Sequence, residues 1–110
     1  MATASDHVLH LDEASFDRVL ERAKGPVLVD FWAAWCPPCR MLGPVIDRVA
    51  DAHAGDDAVV AKVDVDVAPG LAARYGVASI PTVVVFRDGA EIDRIVGVQS
   101  EARYEAALAG

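Results

Sequence analysis

Val27-Leu28-Val29-Asp30-Phe31-Trp32-Ala33-Ala34-Trp35-Cys36-Pro37-Pro38-Cys39-Arg40 is the stretch on which the architecture turns. Its first half, Val27–Trp32, is apolar on both faces, the pattern of a strand buried between layers of helices. Only Asp30 interrupts it. Beyond Cys36 the apolar residues fall at Leu42, Val45, Ile46 and Val49, which predicts a helix from Cys36 to about Ala54, ended by Gly55. Pro44 lies inside this helix, removes one backbone hydrogen bond and should kink it. A buried strand feeding a helix start thus delivers two cysteines to the first helical turn.

Upstream, Val8–Leu11 is expected as a short strand and Asp12 as the N-cap of a helix reaching about Ala23. Phe16, Val19, Leu20 and Ala23 share one face of that helix, and Gly25-Pro26 stops it. Downstream, Val59–Val67 reads as a third strand that ends in the alternation Val63-Asp64-Val65-Asp66-Val67. A short helix from about Ala68 to Tyr75 follows and closes at Gly76. Thr82–Phe86 and Glu91–Val96 flank Asp88-Gly89, the strongest hairpin signal in the chain. Ser100 is placed to cap a last helix to about Leu108. The order β-α-β-α-β-α-β-β-α predicts an α/β fold with a mixed central sheet flanked by helices on both faces. Strands joined through helices are expected parallel to their neighbours, and the hairpin adds antiparallel ones.

With 110 residues, 54% of them apolar, the chain is expected to form one domain over residues 1–110 around one core. Acidic residues outnumber basic ones 17 to 10, for a net charge of −7. Such a surface repels phosphate backbones, so nucleic acid is excluded as a direct partner. No apolar run approaches the roughly 20 residues of a membrane-spanning helix. The stretch Met1–His7 lacks the basic and apolar regions of a signal peptide, so the protein reads as soluble and cytoplasmic. A monomer is the expected state.

Cys36 and Cys39 are the only cysteines, two residues apart. In a cytoplasmic chain such a pair is redox-active or metal-binding more often than structural. At a helix N-terminus, free backbone N–H groups and the helix dipole favour a negative sulfur. The Cys36 thiol pKa is therefore expected below the usual value of about 8.5, making Cys36 the attacking thiolate. Cys39, one turn later and covered by the helix, is placed to resolve a mixed disulfide. Pro37 and Pro38 lose nothing by lacking N–H groups in a first turn, and they stiffen it. An ordinary buried pair is the blander alternative. A zinc site completed by His7 and His10 is another, disfavoured because no second cysteine pair exists. No metal and no cofactor are expected, and the three histidines, His53 among them, read as exposed bystanders. Asp30 is costly in a buried strand unless paired or protonated, and a purely structural acid satisfied by Lys62 is one reading of it.

From about Val8 to Leu108 the sequence resembles the thioredoxin family. The resemblance is carried by Val27–Cys36, Pro38-Cys39, Pro44, Lys62, Asp64, Asp66, Pro69, Tyr75-Gly76, Ile80-Pro81-Thr82, Phe86, Asp88-Gly89 and Gly97. It implies a thioredoxin fold and a protein-disulfide reductase that acts on disulfide-containing proteins and is reduced by a thioredoxin reductase. It implies that Asp30 accepts the Cys39 proton during resolution, and that Ile80-Pro81 is cis and faces the cysteines. With Trp35, Pro38, Gly97 and Val98, these residues would form an apolar surface for an extended substrate segment, whose backbone pairs with Ile80 as an added strand. Trp32 is expected to pack against the motif instead. Thioredoxins usually carry Gly where this chain has Pro37; Pro-Pro pairs occur in some thioredoxins and in tryparedoxins and nucleoredoxins, which are generally longer. Pro38, rather than the His of oxidising relatives, favours a reductant. The rival readings are a more oxidising disulfide catalyst and a thioredoxin-fold binding module with incidental redox activity.

Overall fold

A computed structural model, describing residues 5–109, folds the chain as β1 (Val8–His10), α1 (Phe16–Arg22), β2 (Val27–Trp32), α2 (Pro37–Ala52), β3 (Val59–Asp64), α3 (Pro69–Arg74), β4 (Thr82–Arg87), β5 (Ala90–Val96) and α4 (Glu101–Ala109). The leader reading of Met1–His7 falls partly outside the described residues. The sheet runs β1-β3-β2-β4-β5, with β2 central and buried along almost its whole length.

β3 pairs in parallel with β1 and β2, whereas β4 pairs antiparallel with both β2 and β5. The sequence predicts a parallel neighbour after each intervening helix, and α3 breaks that rule for a geometric reason. Six helical residues span only about 9 Å, while a six-residue strand spans about 20 Å. So short a helix cannot carry the chain back to the start of the sheet. β4 therefore begins where β2 ends, Thr82 opposite Phe31, and must run the other way.

The end of β3 and the start of α1 differ from those expected. β3 ends at Asp64, not Val67, because Asp64 turns the chain. Its carboxylate accepts the Asp66 N–H at 2.9 Å and its carbonyl the Ala68 N–H at 2.9 Å. Helix α1 begins at Phe16 because the Asp12 carboxylate holds a preceding turn, accepting the N–H groups of Ala14 at 3.0 Å and Ser15 at 2.9 Å. The hairpin follows the sequence: Asp88 at φ 54° and Gly89 at φ 79° give the left-handed pair that a tight two-residue turn requires.

Strand alternation divides the core. Leu28, Val60, Val83, Val85 and Ile95 face α2 and α4, meeting Leu42, Ile46, Val49, Tyr104 and Leu108. Val27, Val29, Phe31, Ala61, Val63 and Phe86 face α1 and α3, meeting Phe16, Leu20 and Leu71. By the same alternation Asp30 and Lys62 lie on the α2/α4 side. That places Asp30, the one buried acid among the described residues, beneath the helix that carries the cysteines.

Candidate active site

The site forms where β2 hands over to α2. Cys36, in an extended conformation, is the N-cap of α2, and its sulfur accepts the Cys39 N–H at 3.3 Å. Pro37 and Pro38 occupy the first helical positions. Since neither has an N–H, Cys39 supplies the first helical N–H of α2, and that donor is aimed at the sulfur. Cys36 and Cys39 are joined as a disulfide, with Cα atoms 5.2 Å apart. Both are buried in a small apolar cluster with Ala33, against which Trp32, Val65 and Ile80 pack.

The Ile80–Pro81 bond is cis. The Ile80 carbonyl oxygen lies 3.7 Å from Cys36 Sγ. The next carbonyl, of Pro81, accepts the Gly97 N–H at 2.9 Å, and Gly97 takes φ 82°, where a side chain would be strained. The loops before β4 and after β5 thus meet beside the disulfide. Trp35, Pro38 and Val98 are exposed, Ile80 and Gly97 are half-buried, and Pro81 is buried. The Trp35 indole N–H donates to the Asp66 carboxylate at 2.8 Å, and Val67, next in the chain, is also exposed. Trp32 packs against the cysteines, with its indole nitrogen buried and unpartnered among the described residues.

Asp30 is 1% exposed, and its Oδ1 has no hydrogen-bond partner among the described residues. Burial pushes its pKa up to about 7; Lys62 opposes the rise and Asp47 reinforces it. The expectation of an acid satisfied by Lys62 does not hold. Lys62 is the register partner of Asp30, but the Lys62 ammonium bonds to Asp47 Oδ1 at 3.1 Å. That pair sits closer to water, where two charges lose less hydration than they would beside Asp30.

The histidines are not all bystanders. His53, at the C-cap of α2, lies between the Asp56 and Glu105 carboxylates at 2.8 and 2.7 Å, and its side chain is only 21% exposed. The hydrogen bond to Glu105, above all, pushes its pKa up. His7 bonds to Asp51 at 2.9 Å, and His10 is exposed on β1. Asp47, Val65 and Tyr104 were not singled out from the sequence. Their relevance depends on α2, β3 and α4 packing together, and no local pattern announces that.

Two sulfurs that alternate between dithiol and disulfide, at the rim of an exposed apolar face, are suited to exchange with a disulfide in another protein. Fold and site together define a dithiol–disulfide oxidoreductase. The sequence matches the family Thioredoxin over residues 7–109. It is 46% identical over 99 residues to "Thioredoxin" of Alicyclobacillus acidocaldarius subsp. acidocaldarius, covering 90% of this chain and 92% of that one. It is 47% identical over 104 residues to "Thioredoxin" of Mycolicibacterium smegmatis, covering 93% and 91%. A solved mutant thioredoxin from Halobacterium salinarum NRC-1 superposes with a TM-score of 0.83 at 39% identity, covering 97% of this chain and 93% of that one. The chain belongs to the thioredoxin family, and the disulfide-linked pair Cys36–Cys39 is its redox centre.

Proposed function

We propose that this single-domain protein works as a reductant of protein disulfides, with Cys36 as nucleophile and Cys39 as resolving thiol. The observation that carries the assignment is Cys36 at the N-cap of α2, its sulfur receiving the Cys39 N–H. In the reduced state the same donor and the helix dipole favour a thiolate on Cys36. That thiolate attacks one sulfur of the substrate disulfide, and the other leaves as a thiolate that takes a proton. The Cys39 thiol then loses its proton to the Asp30 carboxylate and attacks Cys36 Sγ. The mixed disulfide breaks, the second substrate sulfur departs as a thiolate that takes a proton from water, and two electrons have moved from the dithiol to the substrate.

Trp35, Pro38 and Val98 supply an apolar rim for the incoming segment, and Ile80, beside buried Pro81, offers backbone for strand-like pairing. A thioredoxin reductase would restore the dithiol. No described helix is long and apolar enough to cross a membrane. A dithiol that must be held reduced suits the cytoplasm, where we place the protein as a monomer.

The test is the equilibrium potential of the pair against glutathione, run beside reduction of insulin disulfides. The handover to insulin should be catalytic. The potential should match that of thioredoxin, the type member of the family, at about −270 mV. A potential of about −120 mV, that of a strong oxidant, would overturn the reductant assignment.

A further inference from the structure

The reaction as described makes no use of Tyr104, although it is the largest fully buried side chain of the protein. Its ring belongs to the apolar cluster of Leu42, Ile46, Val83 and Ile95, yet its hydroxyl leaves that cluster for the backbone after β5. There it accepts the Gln99 N–H at 3.1 Å and donates to the Gly97 carbonyl at 3.3 Å. Val98, part of the exposed rim, lies between the two. Gly97 is in turn tied through its N–H to the Pro81 carbonyl, beside the Ile80 carbonyl that faces Cys36. One phenol therefore holds both ends of a three-residue segment whose other contact is the loop opposite the disulfide.

We propose that Tyr104 is a positioning residue for protein substrates: its hydroxyl fixes the Gly97–Gln99 backbone so that the rim at Val98 is formed before substrate arrives. The proposal rests on the assignment of that rim to substrate binding.

The anchor is stiff for reasons separate from the phenol. α4 is fastened to β5 by Arg103–Asp93 at 2.8 Å, and to α2 by Arg48–Glu101 at 2.8 Å and His53–Glu105 at 2.7 Å. The ring is held by apolar packing. Gly97, by contrast, sits in the left-handed region with no side chain to hold it. Without the hydroxyl, the segment would keep the Gly97–Pro81 hydrogen bond and lose both others. Gln99 is exposed, so its freed N–H can turn to water. The cost should then fall on loop order more than on folding, and ordering a loop at the moment of binding weakens affinity without touching chemistry.

The test is Tyr104→Phe, which keeps the ring and removes only the oxygen. Two substrates are compared: insulin, which needs the rim, and the small aromatic disulfide 5,5′-dithiobis(2-nitrobenzoate), which does not. We expect KM for insulin to rise about three- to tenfold, the range that one lost hydrogen bond of this kind produces, with kcat unchanged. The rate with the small disulfide should stay at the wild-type value. Equal loss on both substrates, no loss on either, or a loss confined to kcat overturns the proposal. Amide exchange on the wild-type protein gives an arm that needs no variant: the Gln99 N–H should be protected, and free exchange there overturns it as well. Wild-type protein that fails to reduce insulin would instead bring down the substrate-binding assignment, and this proposal with it.

Discussion

Asp30 and Lys62 stand opposite each other in register across β2 and β3, yet the Lys62 ammonium is bound to Asp47, leaving Asp30 with no ion-pair partner among the described residues. A lysine bonded directly to Asp30 would hold it ionised throughout the neutral range. Drawn instead toward α2, Lys62 acts on Asp30 at longer range, and burial prevails. The result is a carboxyl that titrates near neutrality beneath the cysteine helix. An acid that gains and loses a proton at working pH suits general acid–base work, whereas one fixed in either form does not.

The stability consequence has a definite sign. The folded-state pKa of Asp30, about 7, lies above its ordinary value of 3.8, so the folded protein binds this proton more tightly. Its contribution is fully present below about pH 4, declines as pH rises toward 7, and is a constant penalty beyond. Asp30→Ala should therefore be more stable than wild type at about pH 8, by on the order of 4 kcal/mol before the cost of a small cavity. Near pH 4 the advantage should vanish. Denaturant melts at both pH values measure it, and a variant less stable at both would contradict the assignment.

The same substitution should slow release of substrate from the mixed disulfide. In wild type that step should accelerate as pH rises through about 7, because only the ionised Asp30 can take the Cys39 proton. In Asp30→Ala this inflection should be missing. Stopped-flow traces across the range decide the matter.

Asp47→Asn should lower the Asp30 pKa by two routes. It removes a negative charge that raises it and frees Lys62. The inflection in the release step should shift to lower pH. A titration of the Asp30 carboxyl by NMR reads it directly, and an unmoved midpoint would mean that Asp47 has no hold on the site.

Cysteine variants separate the two thiol roles. Cys36→Ser should abolish insulin reduction, since no nucleophile remains. Cys39→Ser should still attack but accumulate mixed disulfides, visible as reducible adducts on gels. Turnover by Cys39→Ser at the wild-type rate would refute the two-thiol route.

His53 gives a second pH signature, away from the site. Its pKa is raised by the hydrogen bond to Glu105 and, after it, that to Asp56. The protonated clamp should stabilise the junction of α2 and α4 fully below pH 6.5, the ordinary histidine value, and weaken as pH rises through the folded-state value. The stability gap between wild type and His53→Gln should be wide in mild acid and narrow in mild alkali. A gap independent of pH would show that the imidazole stays neutral.

Much of this molecule is written locally. The doubly apolar run of Val27–Trp32, the helical period after Cys36 and the Asp88-Gly89 turn each depend on near neighbours along the chain, and all three form as expected. Cys36 at a helix start needs nothing more than a strand, a short loop and two prolines. The sequence by itself therefore determined the nine elements in order, the position of the dithiol and the family resemblance. What it could not determine was decided across the sheet. The antiparallel place of β4 follows from the length of α3, the loss of Lys62 to Asp47 from α2 lying over β3, and the His53 clamp from α4 lying beside α2. Periodicity reports which face of an element is buried but not which element covers it. Charge pairs such as Lys62–Asp47 and His53–Glu105, 15 and 52 positions apart, exist only once that covering is made.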